Sequence, residues 1–213
     1  MRYKFIESIN WTNNWIFVWP DLTCPFQQPL LPLVLYPMSH SFHTELSRIW
    51  QISVDLYRRG NNSAEDFPIA NELPILSGWG LNKMDVFDYV EDWCLHEEPD
   101  LITFVLVHYE RWNFFVHEQM SELSSKRLDP SALPPKTEDA AGIIWLPRIL
   151  PKARAKLRGE LPPSVMYGCG GDRHFFRSNN IHPAEFLRVV RQWRDNDQAI
   201  IQWVLDRQNS SLH

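Results

Sequence analysis

The chain has 213 residues, with 21 Lys and Arg against 26 Asp and Glu, a formal net charge of -5, and 10 Trp and 16 Pro beside only 8 Gly. At 44% hydrophobic and 22% charged residues it is neither a disordered chain nor a disulfide scaffold, and its length suits one large domain or two small ones. Residues 1–145 hold 10 basic and 20 acidic residues and residues 146–213 hold 11 and 6, so nothing pulls the whole chain toward nucleic acid and two parts of opposite sign are expected to dock on each other.

Residues 1–37 mix Trp11, Trp15 and Trp19 with Pro20, Pro25, Pro29, Pro32 and Pro37. Proline removes the N–H that a regular element needs, so this stretch reads as an extended aromatic arm. A helix is expected over 39–59, where Phe42, Leu46, Ile49, Trp50 and Tyr57 recur at helical spacing and Gly60 stops the run. Residues 61–82 read as a loop, with Pro68, Pro74, Gly78 and Gly80 as turn signals. Two helices follow, 83–98 and 101–124, separated by Pro99 with Asp100 as the cap of the second. Periodicity is lost over 126–142, which reads as a linker. Beyond it come a basic helix at 147–158, a short extended piece ending in a Gly turn at 164–172, and helices at 183–194 and 197–207, the last capped by Asn196.

The expected fold is therefore mostly α. A helical bundle-like module with its aromatic arm (1–125) is followed by the linker (126–142) and a small basic helical module (143–213). Cys24, Cys94 and Cys169 are too few and too widely spaced for a disulfide framework or a CxxC site. The longest apolar run, Pro29 to Pro37, is too short to span a bilayer. A cytosolic chain with no membrane or nucleic-acid partner is the expectation.

Three constellations could carry chemistry. In the turn Tyr167-Gly168-Cys169-Gly170-Gly171-Asp172-Arg173-His174, Cys169 is a candidate nucleophile, His174 its base, and Asp172 and Arg173 ligand contacts. Small Cys is also common in cores, and Gly-rich turns mostly only turn. Among the histidines, His108, Glu110 and His117 are candidate acid/base residues, and His40, His43, Glu110 and His117 could hold a divalent metal between two helices. A solvated polar stripe explains Glu110 and His117 as well, and His108 fits a hydrogen-bonded core position. Of the tryptophans, Trp79 in its Gly-flanked loop is the best candidate ligand contact, and Trp112 could add a second ring from a helix. Arg148, Lys152 and Arg173 could hold an anionic group.

The run Leu146-Pro147-Arg148-Ile149-Leu150-Pro151-Lys152-Ala153-Arg154-Ala155-Lys156-Leu157 resembles the opening of a small bacterial family known as domain of unknown function 5069. Tyr167-Gly168-Cys169, then Asp172, Phe175 and Phe176, look like its second signature, and Ile181 to Phe186 and Ile200 to Val204 resemble its last two helices. The resemblance spans about residues 143–208. It departs from the family where Gly170-Gly171 replace a Pro-Leu-like pair and where His182 replaces an acidic cap. No activity comes with the resemblance. The expectation is a small-molecule enzyme or binder, with a pocket between the modules and a small ligand, anionic ones included. The alternative is a non-catalytic interaction module whose aromatics pack a partner or a second copy as a homodimer.

Overall fold

The computed structural model describes residues 40–210, which are mostly helical; the aromatic arm expected over 1–37 lies outside them. Among the described residues eight α-helices run in chain order: α1 His40–Arg58, α2 Leu73–Gly78, α3 Lys83–His96, α4 Leu101–His117, α5 Leu146–Arg158, α6 Gly170–Ser178, α7 Pro183–Trp193 and α8 Asp197–Ser210. The strands among the described residues are the two-residue pair β1 Asp139–Ala140 and β2 Ile143–Ile144, antiparallel with Ala140 opposite Ile143. None of the described helices is long and apolar enough to cross a membrane.

The caps follow from local chemistry. Asn82 accepts from the backbone N–H groups of Met84 and Asp85, while the Asp85 carboxylate accepts from the Asn82 N–H at 2.9 Å, a reciprocal capping box that starts α3. Asp100 accepts from Thr103 N at 2.8 Å and starts α4, as expected. Asn196 accepts from Ala199 N at 3.1 Å ahead of α8. His182, in the place of an acidic cap, does the same work: its Nδ1 accepts from Ala184 N at 3.2 Å, and Glu185 reaches back to the His182 N–H.

Three expectations change. The loop over 61–82 contains α2, because Pro74 suits the first turn of a helix and Leu76 is fully buried. The helix expected to 124 ends at His117, since Met120 and Ser121 take left-handed backbone angles and Ser121 N turns back to Phe115 O. The extended piece over 164–172 gives way at Gly170 to α6, anchored by buried Phe175 and Phe176.

Helix α4 is the hub: it packs on α1, α5 and α7, while α1 also packs on α3 and α7 carries α8. Leu46, Ile49, Trp50, Val86, Val90, Phe104 and Val107 share one core with Leu146, Ile149, Ala153, Phe186 and Leu187. Each such large side chain contributes about 1.5–3 kcal/mol on burial. Residues 126–142 join the earlier and later helices without separating their cores. Ion pairs also link the acidic first part to the basic second part: Asp92–Arg173 and Glu118–Arg191 at 2.5 Å, and Glu98–Arg177 at 2.6 Å. These pairs are partly exposed, so they orient the helices more than they stabilise them.

Candidate functional site

Helix α5 turns two lysines inward. Lys152 and Lys156 are four residues apart, hence on one helical face, and each is only 3% exposed. A buried ammonium is tolerated only with partners. Lys156 Nζ donates to Asp85 Oδ1 at 2.5 Å and to His108 Nε2 at 3.0 Å, and lies 5.6 Å from the centre of the Tyr89 ring. Asp85 thus has two jobs, capping α3 with one oxygen and holding Lys156 with the other. Burial raises the Asp85 carboxyl, but the charge and hydrogen bond of Lys156 outweigh it and hold the group below its usual range.

His108 is fully buried on α4. Its Nδ1 donates to Phe104 O at 2.7 Å, which leaves Nε2 as the acceptor for Lys156. Burial, and then the neighbouring ammonium, push its pKa down to about 3, so the ring is neutral. His108 therefore holds Lys156 from a fully buried position.

A cleft of about 150 Å³ opens beside this network. Asn82, Asp85, Asp88 and Tyr89 of the α3 start, Lys156 of α5 and Arg127 line it. The segment 161–167 adds Leu161, Pro162, Pro163, Val165 and Met166 to the lining. Tyr89 pins that segment by donating to Tyr167 O at 2.7 Å. Burial lifts the Asp88 pKa to about 7; Lys156 pulls it down, and Asp85, Glu91 and Asp92 push it up. A carboxyl that gains and loses its proton near neutrality is suited to acid/base work.

The second lysine belongs to a tighter knot. Lys152 donates to Asp172, and its Nζ lies 3.4 Å from Cys169 Sγ. Asp172, fully buried, also accepts from Trp145 Nε1 and from Gly168 N, both at 2.9 Å. The indole crosses the start of α6 so closely that a Cβ on Gly171 would collide with its ring. A second, more apolar groove of about 290 Å³ is lined by Trp145 with Ile144, His174, Phe175 and Gln208 among others.

The residues expected to act are dispersed. Glu110 is 2% exposed, and its carboxylate accepts from Arg188 Nε at 3.0 Å and Nη2 at 2.5 Å. His43 stacks on Tyr109, and His117 is the half-buried last residue of α4. His40 begins α1, and its side chain lies outside the described residues. Among the described residues no three His, Cys, Asp or Glu side chains come together as a metal would require. Trp79 is not on a free loop: it closes α2 and packs 4.7 Å from Phe42, which stacks on Trp112 at the same distance. Arg148 donates to Pro134 O, and Arg173 bridges Asp92 and Gly168 O. Exposed His174 faces the apolar groove while Lys152 occupies the position beside the Cys169 sulfur.

Asp85, Asp88, Tyr89, Arg127 and Lys156 escaped the sequence reading as a site. One signal pointed to part of it: Lys152 and Lys156 fall in the stripe of Ile149, Ala153 and Leu157, where surface lysines do not belong.

Residues 134–212 match the model of a family described as a domain of unknown function (DUF5069). The match takes in α5 to α8, hence both inward lysines, and leaves Asp85, Asp88 and His108 outside it. No curated protein and no solved structure matches the chain.

Proposed function

We propose that the protein is a small-molecule enzyme or binder of the cytosol, working in the cleft between the start of α3 and the end of α5. Asp88 is its proton-transfer group, and Lys156 is the fixed positive charge beside it. The observation that carries this reading is the pairing of a carboxyl of pKa about 7 with a buried ammonium in the lining of one cleft. Asp85 and His108 hold Lys156 in place, so the charge is fixed before any ligand arrives. The cytosolic setting is supported by the free thiols of Cys94 and Cys169.

The test is an amide chemical-shift screen of the isotope-labelled full chain against small carboxylates, amines, sugars and aldehydes. Hits are expected to move the amides of Asn82–Tyr89 and Val165–Tyr167, and Asp88→Asn is expected to change them. Hits confined to other parts of the chain, or none at all, would remove the cleft as the site. A second reading, an interaction surface, draws on Ile144, which is 63% exposed at the apolar groove. Self-association that Ile144→Lys abolishes, with no cleft ligand found, would favour it.

A further inference from the structure

We propose that the cleft takes a small organic monocarboxylate, its carboxylate on Lys156 and Arg127 and its hydrocarbon body against Leu161, Pro162 and Val165. This rests on the reading of the cleft given above and names its ligand class.

The lining is of two kinds. Asp85, Asp88, Arg127 and Lys156 supply its charged lining, and prolines and aliphatic side chains of 161–166 its apolar lining. Such a cleft suits a molecule with a charged end and an apolar end. Its volume of about 150 Å³ is well below the roughly 300–1,000 Å³ of drug-sized sites, so the apolar end is only a few carbons long.

The sign of the charged end follows from the donors left over. Lys156 has three N–H groups; Asp85 and His108 take two of them. Arg127 is exposed, donates to the carbonyls of Ser124 and Lys126, and forms no ion pair with a carboxylate among the described residues. Both cations line the cleft with hydrogen-bonding capacity to spare. An ammonium and a guanidinium are the donors that carboxylate recognition uses.

The number of charges selects a monoanion. Lys156 and Arg127 face the single fixed negative charge of Asp85 when Asp88 is protonated, which leaves one positive charge in excess. A monocarboxylate cancels it. A phosphate dianion would leave an uncompensated negative charge beside Asp85 and a hydrocarbon wall.

Asp88 then couples binding to protons. Facing it are Lys156 from α5 and, along its own helix, Asp85, Glu91 and Asp92; Arg127 lines the same cleft. Protonated, Asp88 can donate to the incoming carboxylate; ionised, it repels it. Because this carboxyl titrates at about 7, binding through its acid form weakens about tenfold from pH 6 to pH 8.

The experiment is calorimetric titration of the full chain with butyrate, butyramide and inorganic phosphate at pH 6 and pH 8, with amide shifts to locate binding. Butyrate is expected to bind in the cleft about tenfold more weakly at pH 8, with butyramide and phosphate far weaker at pH 6. Arg127→Gln, a change at an exposed side chain, should weaken butyrate several-fold. Asp88→Asn should keep binding and lose its pH dependence. Butyrate binding without pH dependence, or matched by butyramide or phosphate, would overturn the proposal. If butyrate leaves the cleft amides unmoved while another compound of the screen moves them, the ligand class falls and the cleft reading stands. If no compound moves them, both fall.

Discussion

Lys156 Nζ donates to His108 Nε2 across 3.0 Å, a bond that exists only while the imidazole is neutral. Protonating His108 would set two cations against each other in a fully buried place, with Asp85 Oδ1 3.9 Å from the ring as partial relief. The His108 ring resonances are therefore expected to stay unchanged from about pH 8 to about pH 5. The folded pKa of about 3 lies below the ordinary 6.5. The unfolded chain therefore binds more protons between these values, and stability is lost as pH falls from 6.5 toward 3. A His108 titration midpoint near 6 would show that the ring is solvated and does not hold Lys156.

Asp88 acts with the opposite sign. Its folded pKa of about 7 lies above the unfolded value of 3.8, so the folded chain holds the extra proton between the two, and stability falls as pH rises through this window. Each pH unit is worth about 1.4 kcal/mol, so the loss from pH 4 to pH 7 is on the order of 2–4 kcal/mol. Asp88→Asn should flatten this part of the curve and raise the urea midpoint at pH 8. Parallel stability curves for the two proteins between pH 4 and pH 8 would contradict the shifted carboxyl.

The helices that carry this network were legible where local chemistry speaks loudly. Asp100 and Asn196 announce their helices as caps, and the apolar spacing of Phe42, Leu46 and Ile49 marks the buried face of α1. Where long-range packing decides, the sequence misleads. Gly170 and Gly171 lower helix propensity, yet α6 starts there because only a glycine lets the Trp145 indole cross to Asp172. The site was hidden for a similar reason. Asp85 and Lys156 are 71 residues apart, and each alone is an ordinary charged residue. Their meaning comes from the packing of α4 on α5, which brings His108 alongside the pair.

The crowding at Gly171 gives a paired prediction. A methyl group there would overlap the Trp145 ring, which must then leave Asp172 or push α6 away. Gly171→Ala is expected to cost about 2–4 kcal/mol, the range for forced overpacking together with a lost buried hydrogen bond. Gly78 has nothing within 4 Å of its would-be Cβ and no left-handed backbone angle. Gly78→Ala should be neutral or stabilise by up to about 1 kcal/mol. Urea unfolding with near-ultraviolet dichroism checks both, and equal stabilities for the two variants would refute the Trp145 packing.

Arg111 supplies the last prediction. It is 1% exposed on α4 and has no carboxylate within ion-pair distance among the described residues. Its Nη1 donates to Leu157 O at 2.8 Å and to Gln119 Oε1 at 2.5 Å, and Gln119 Nε2 donates to Arg158 O. The guanidinium therefore sits at the C-terminus of α5, where the aligned peptide dipoles leave negative charge. Gly80 and Gly159 make room for it, since a Cβ on either would collide with the group. Burial draws its pKa down to about 10, so it stays charged at neutral pH, although Nε and Nη2 have no hydrogen-bond partner. Two outcomes are separable. If the charge caps α5, Arg111→Met leaves Leu157 O and Gln119 unpaired and lowers stability by about 2–4 kcal/mol. Arg111→Lys, which keeps the charge, should recover part of that loss. If the guanidinium is merely tolerated, Arg111→Met will be neutral or stabilising, as for other buried charges replaced by apolar groups. The end of α5 carries Lys156, so in the first case amide exchange should also quicken along α5 and in the Asp88 cleft.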